Sequence, residues 1–342
     1  MTRARFAVTT LLVATVVAVP AGSDPARAFL AEAFAMSAAD IARVDAGHVV
    51  TRTLASSNSR EVATLGIVRL RTTPAVYVER LVDIAAFKRT EDVLQIAKFG
   101  SPARFSDVAG LSLEEADLNV LRDCRVGDCG LRLSADGIER LQREIDWRAP
   151  DATRRAGELV RQQLVDYVTQ YRAGGVGASI EYAATSTRLH VGREFAALVD
   201  ADTTTWKYLP RLRRHVLEYP GGEVAASDFV YWSKEQVHSR EVVSITHVAI
   251  VPAAEPSPVS HAIASKQIYA MHYFDASLGL TLLVPITDST SPGTYVVYLN
   301  RSRVDLFDGL LGGVARRIVA GRARTLVGEQ LGRLQRVLAG AV

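Results

Sequence analysis

The spacing of apolar residues divides the chain into stretches of different period. Residues 29–46 repeat at helical spacing, with Ser37 as an internal N-cap and Gly47 as a stop. Residues 48–54 and 61–71 read as strands. In the second, Val62, Leu65, Ile67 and Val68 lie between the polar run 56–59 and Thr72-Thr73-Pro74, and the pair predicts a hairpin. Pro74 then opens a helix carried by Val76, Val78, Leu81, Val82 and Ile84, because proline suits a first turn. It closes near Phe87 and Lys88, and residues 93–99 form the next strand.

From 101 to 220 the pattern is helical, most clearly over 113–122, 135–147 (N-capped by Ser134) and 151–172, with two more helices over 192–199 and 204–219. No repeat or low-complexity linker sets this stretch apart, so it reads as an insertion packed on the main domain. After Gly221-Gly222 the period becomes two, predicting strands at 228–234, 242–252, 261–274, 278–285 and 293–303. The short polar joins, among them 237–240 and 275–277, imply an antiparallel meander with one face buried and the other wet. A long amphipathic helix over 304–338 is the expected cover. Its apolar side is read as Phe307, Leu310, Leu311, Val314, Ile318, Leu326, Leu331, Leu334 and Leu338. The expected fold class is therefore α+β. Its parts are a leader over 1–28, a first portion over 29–100, the helical insertion over 101–220 and the remainder over 221–342.

Charge adds a compartment. Arg3 and Arg5, an apolar run over 6–19 and the small-x-small site Ala26-Arg27-Ala28 describe a secretory signal peptide cut near Ala28. The apolar run is shorter than the roughly 20 residues a spanning anchor needs. Losing residues 1–28 removes three arginines and Asp24 and takes the net charge from +3 to +1, so nucleic acid is not an expected partner. Residues 301–342 nevertheless carry eight arginines against Asp305, Asp308 and Glu329, a net +5. Such a helix suits either a solvated face or an anionic membrane surface. The two cysteines, Cys124 and Cys129, bracket a short turn; in an oxidising compartment they read most simply as a disulfide, with a redox role as the alternative.

This order of elements is similar to the helix-grip fold of the START and Bet v 1-like superfamily. The resemblance rests on two places: residues 61–99, with the Thr-Pro turn and the segment from Asp83 to Phe87, and residues 228–338, the closing meander and helix. The chain looks like an exported bacterial member with a helical insertion that departs from the pattern. The resemblance implies a curved sheet gripping the last helix around an apolar cavity, and a lipid or other apolar small molecule as ligand. Phe229, Tyr231, Tyr269, Met271, Tyr273, Tyr298, Leu310 and Val314 are the residues expected to line it. Ile263, Gln267, Tyr269, Met271 and Tyr273 share one face of their strand if it alternates throughout. Gly312, Gly313 and Gly321 in the last helix suit a portal or kink as well as close packing.

The seven histidines form no metal motif, and the chain has no nucleophile elbow and no P-loop, so no metal and no cofactor is expected. Lys266, Tyr269, His272, Tyr273 and Asp275 make one polar cluster. His272 with Asp275, or His247 facing the same cavity, are the candidate acid–base groups. The alternative role is cross-strand hydrogen bonding. Three functions fit: an exported carrier of an apolar molecule, a cyclase or lyase using His247 or His272, and a docking protein working through its insertion.

Overall fold

A computed structural model describes residues 24–221, 227–253, 257–287, 292–305 and 312–339. The single helix expected at the start is two, α1 (Pro25–Phe34) and α2 (Ala38–Asp45), because Ala35 turns left-handed and Ser37 caps the second. α1 runs across the expected cleavage point. Asp24 caps it, Ala26 is buried, and Arg27 pairs with Asp45 at 3.0 Å. The strands β1 (Val50–Leu54) and β2 (Glu61–Leu70) form the predicted hairpin pairing. Thr73 caps α3 (Pro74–Val82), Asp83 caps the short α4 (Ile84–Phe87), and β3 (Val93–Lys98) follows.

The insertion holds α5 (Glu115–Leu121), α6 (Ala135–Glu144), α7 (Ala152–Gly174), α8 (Val191–Asp200) and α9 (Pro210–Glu218), with the small ladder of β4 (Glu181–Tyr182) and β5 (Leu189–His190) between α7 and α8. Cys124 and Cys129 are disulfide-bonded in the loop between α5 and α6.

Beyond residue 226 come β6 (Ser227–Val237), β7 (Arg240–Pro252), β8 (His261–Ala270), β9 (Phe274–Ile286) and β10 (Gly293–Val304). With the first three strands they form one antiparallel sheet in the order β1-β2-β10-β9-β8-β7-β6-β3. The last strand in sequence, β10, thus pairs with β2, and β1 and β3 form the two edges. The sequence pattern promised one wet face; both are largely covered. On the inner face Val68, Val248, Ile250, Ile263 and Leu283 pack with Tyr77, Leu81 and Ile84 of α3 and α4. On the outer face Leu65, Leu280, Leu282 and Val297 meet α1, α2, α8 and α9, while Val230, Trp232, Val243 and Ile245 meet the insertion.

A bulge interrupts the alternation of β8. Ile245 pairs with Tyr269 and Thr246 with Gln267, so Ile268 is the extra residue. Before it, the outer face takes Ala262, Ala264 and Lys266; after it, Tyr269 and Met271. The uniform alternation read from sequence fails here. The segment 275–277, expected as a turn, lies in β9; the chain reverses at 271–273, where Tyr273 takes φ +62°.

The last helix, α10 (Gly312–Ala339), covers the β1–β2 side of the inner face. Gly66 sets the separation, since a Cβ there would lie 2.5 Å from Val327 Cγ1 and 2.6 Å from Leu331 Cδ1. The missing Cβ leaves the space that Val327 and Leu331 fill. Ala315, Val319, Ala320, Ala323, Val327 and Leu331 make the contact stripe, and Val314, Ile318 and Leu326, expected inside, are exposed. Among the described residues no helix is long and apolar enough to cross a membrane.

Candidate functional site

The densest chemistry lies on the outer face, where the insertion meets the middle of β6, β7 and β8. Asp228 on β6 and His247 on β7 occupy outward positions next to the apolar Val230, Trp232, Ile245 and Ala249. The last turns of α7 bring Tyr171 over them, and α9 brings His215. Tyr219, just past α9, is held by an unusually close backbone approach. Gly175 has φ +56°, and a Cβ there would fall 1.4 Å from the Tyr219 carbonyl oxygen. Only glycine permits that approach.

His215 Nε2 lies 3.0 Å from Asp228 Oδ1, and His247 Nε2 lies 3.2 Å from the same oxygen. Tyr171 Oη lies 2.9 Å from His247 Nδ1. With His247 neutral, as its burial favours, the phenol donates to Nδ1 and both imidazoles donate from Nε2 to the carboxylate. Burial works to raise the Asp228 pKa, but the two imidazole hydrogen bonds outweigh it and hold the carboxyl at about 2. Burial pulls the His247 pKa down, against the opposing pull of Asp228. His215 and His247 are buried, while the Asp228 side chain is 24% exposed, which gives the cluster one route to solvent. The rings of Tyr219 and His247 lie 4.4 Å apart and Tyr171 stacks on Tyr219, a rigid aromatic wall. Lys266, directly across from His247 on β8, is buried with its Nζ 4.2 Å from the Phe195 ring centre; burial lowers its pKa to about 7.

With both nitrogens taken by protein groups, His247 has no lone pair free for a substrate proton. It cannot serve unaided as the base expected of it. What converges instead is a set of three ligand-type atoms, all within 4.8 Å of one another. The absence of metal motifs in the sequence is therefore no guide here, because His215, Asp228 and His247 come from three elements.

The other expected residues are distributed otherwise. His272 turns to Asp117 of α5, with Nε2 3.0 and 3.1 Å from the carboxylate oxygens. Asp275 is gripped by Arg60 and Arg132, each at 2.7 Å. The expected His272–Asp275 pair does not form, because the reversal at 271–273 sends the two side chains to different partners. Tyr269 and Met271 pack in the insertion's core, the result of the bulge. Phe229, Tyr231 and Tyr298 do share the inner face, though Lys98 lies over Phe229 at 4.4 Å and Lys88 over Tyr231 at 5.5 Å. Tyr273 is half-buried at its turn, Val314 is exposed, and Leu310 lies outside the described residues. A cavity of ≈ 420 Å³ opens between the insertion and β8, lined by α6, α7, residues 178–181 and Tyr269.

Sequence reading missed Tyr171, His215, Tyr219 and Asp228. The available signal was polar residues at outward strand positions beside Val230, Trp232, Val243 and Ile245. The class the fold defines is an α+β protein with a large antiparallel sheet and a C-terminal helix, compatible with a helix grip. No family model and no curated protein sequence matches the chain.

Proposed function

We propose that this chain is an exported enzyme of START-like, helix-grip ancestry whose reaction centre is the outer-face cluster of His215, Asp228, His247 and Tyr171. The reaction class is addition or removal of water, as in a hydrolase or lyase, on a small polar substrate arriving beside Asp228. One observation carries this reading: two buried imidazoles meet a single carboxylate oxygen at 3.0 and 3.2 Å beside an aromatic wall, with that carboxylate partly open to solvent. Buried polar groups of this kind cost folding energy, and clustered groups with perturbed protonation mark functional sites. The basic-apolar start and the disulfide support export. A screen of esters, amides, phosphoesters and hydroxy acids should find one class turned over. D228N and H247Q should lose on the order of 10²-fold or more in kcat, and H272Q should keep it. Turnover unchanged in H247Q would sink the proposal.

A second reading keeps the apolar carrier. Phe229 and Tyr298 on the inner face are only partly covered, beyond the strands that α10 contacts. In that case lipid extraction of purified protein recovers a bound apolar molecule that F229A loses.

A further inference from the structure

We propose that His215, Asp228 and His247 bind one divalent transition-metal ion, zinc in the first instance, with a position left open toward the exposed side of Asp228. The three ligand atoms already converge, with two separations of 3.0 and 3.2 Å and all within 4.8 Å. Zinc bonds of ~2.0–2.2 Å place tetrahedral ligands ~3.3 Å apart, so small side-chain adjustments suffice to admit the ion. Two imidazoles and a carboxylate are a donor set for zinc and its borderline neighbours, and three protein ligands with one open place is the usual catalytic arrangement. Thiolate sites are excluded by chemistry, since the chain's two cysteines are joined to each other.

The surroundings are those of a held ligand set. Tyr171 Oη stands at His247 Nδ1 and would accept the proton that this nitrogen carries when Nε2 binds an ion, fixing the ring. Tyr219 packs against His247, and its own position is dictated by Gly175. Each ligand sits on a regular element, β6, β7 or α9, instead of a loop. Lys266, the cation across from His247, aims its Nζ at the Val216 carbonyl and at the rings of Phe195 and Tyr171, and not at Asp228.

This inference deepens the enzymatic reading, because a bound ion would acidify a water where His247 alone has no free nitrogen. It does not depend on that reading. The test uses the full chain, purified without a histidine tag, stripped by chelator and titrated with Zn²⁺ and, separately, Co²⁺. One equivalent of zinc should bind, and cobalt should give the visible absorption of a low-coordinate nitrogen–oxygen site. H215Q, D228N and H247Q should each weaken binding by more than roughly 100-fold, and Y171F by roughly tenfold. H272Q, at the other buried histidine–aspartate pair, should bind as the parent does. Circular dichroism separates unfolded variants from folded ones, and Y171F keeps the test decisive if the ligand variants fail to fold. Absence of saturable binding, or binding that D228N and Y171F leave unchanged, overturns the site. Zinc bound without any turnover removes the enzyme and leaves the site. Turnover by stripped protein that takes up no zinc does the reverse.

Discussion

Asp228 and Lys266 show how single positions carry the chemistry. The Asp228 carboxyl has a folded pKa of about 2 against an ordinary 3.8, so its contribution to stability is complete above 3.8 and lost as pH falls toward 2. Urea unfolding of D228N should therefore lack the loss that the parent shows between pH 4 and 2, and at pH 7 the variant should be less stable by about 1–3 kcal/mol. Lys266 has the opposite sign. Its folded pKa of about 7 lies below the ordinary 10.5, so the unfolded chain holds the extra proton between those values and stability rises with pH there. Below pH 7 the full cost applies, roughly 5 kcal/mol. K266M should be the more stable protein at pH 6, and its unfolding free energy should lose that slope; a parent-like slope would show that Lys266 does not titrate as assigned. Little of this was legible in the sequence. Asp228 and His247 are 19 residues apart and His215 reaches Asp228 from a helix, so only the fold joins them.

Elements were read more easily than contacts. Strands and helices follow from alternation, Thr-Pro and Ser caps, and glycine stops, which are local. Which side of a helix is buried is not local. The bulky stripe Val314, Ile318 and Leu326 is exposed because α10 instead turns Val327 and Leu331 into the space that Gly66 leaves on β2. G66A should push Val327 and Leu331 outward and cost about 1–3 kcal/mol in urea unfolding, whereas G313A, with open space around it, should not destabilise. The reversal at 271–273 escaped notice for a related reason. A residue forced to φ +62° is Tyr273, not a glycine or asparagine that would announce a turn.

At the scale of the molecule, α1 ties the N-terminal segment to the sheet. A chain beginning at Phe29 would lack the Asp24 cap, buried Ala26 and the Arg27–Asp45 pair. It should melt several degrees below one beginning at Gly22, as differential scanning calorimetry can measure. Export processing that preserves this contact would cut ahead of Asp24. The exposed Val314, Ile318 and Leu326 beside Arg317, Arg322 and Arg324 form the face we propose for membrane contact. Co-sedimentation with anionic vesicles, weakened by I318S and by salt, should report it; equal binding to neutral vesicles would argue against it.

The bulge at Ile268 lets one strand serve two layers of packing. The helices of residues 101–220 need an apolar footing on the outer face of the sheet. One added residue rotates the end of β8 by half a turn and supplies Tyr269 and Met271 as that footing, while Ile263 upstream keeps its place on the inner side. A single strand thereby belongs to two interiors, and removing the extra residue would turn Tyr269 and Met271 away from the helices they pack against.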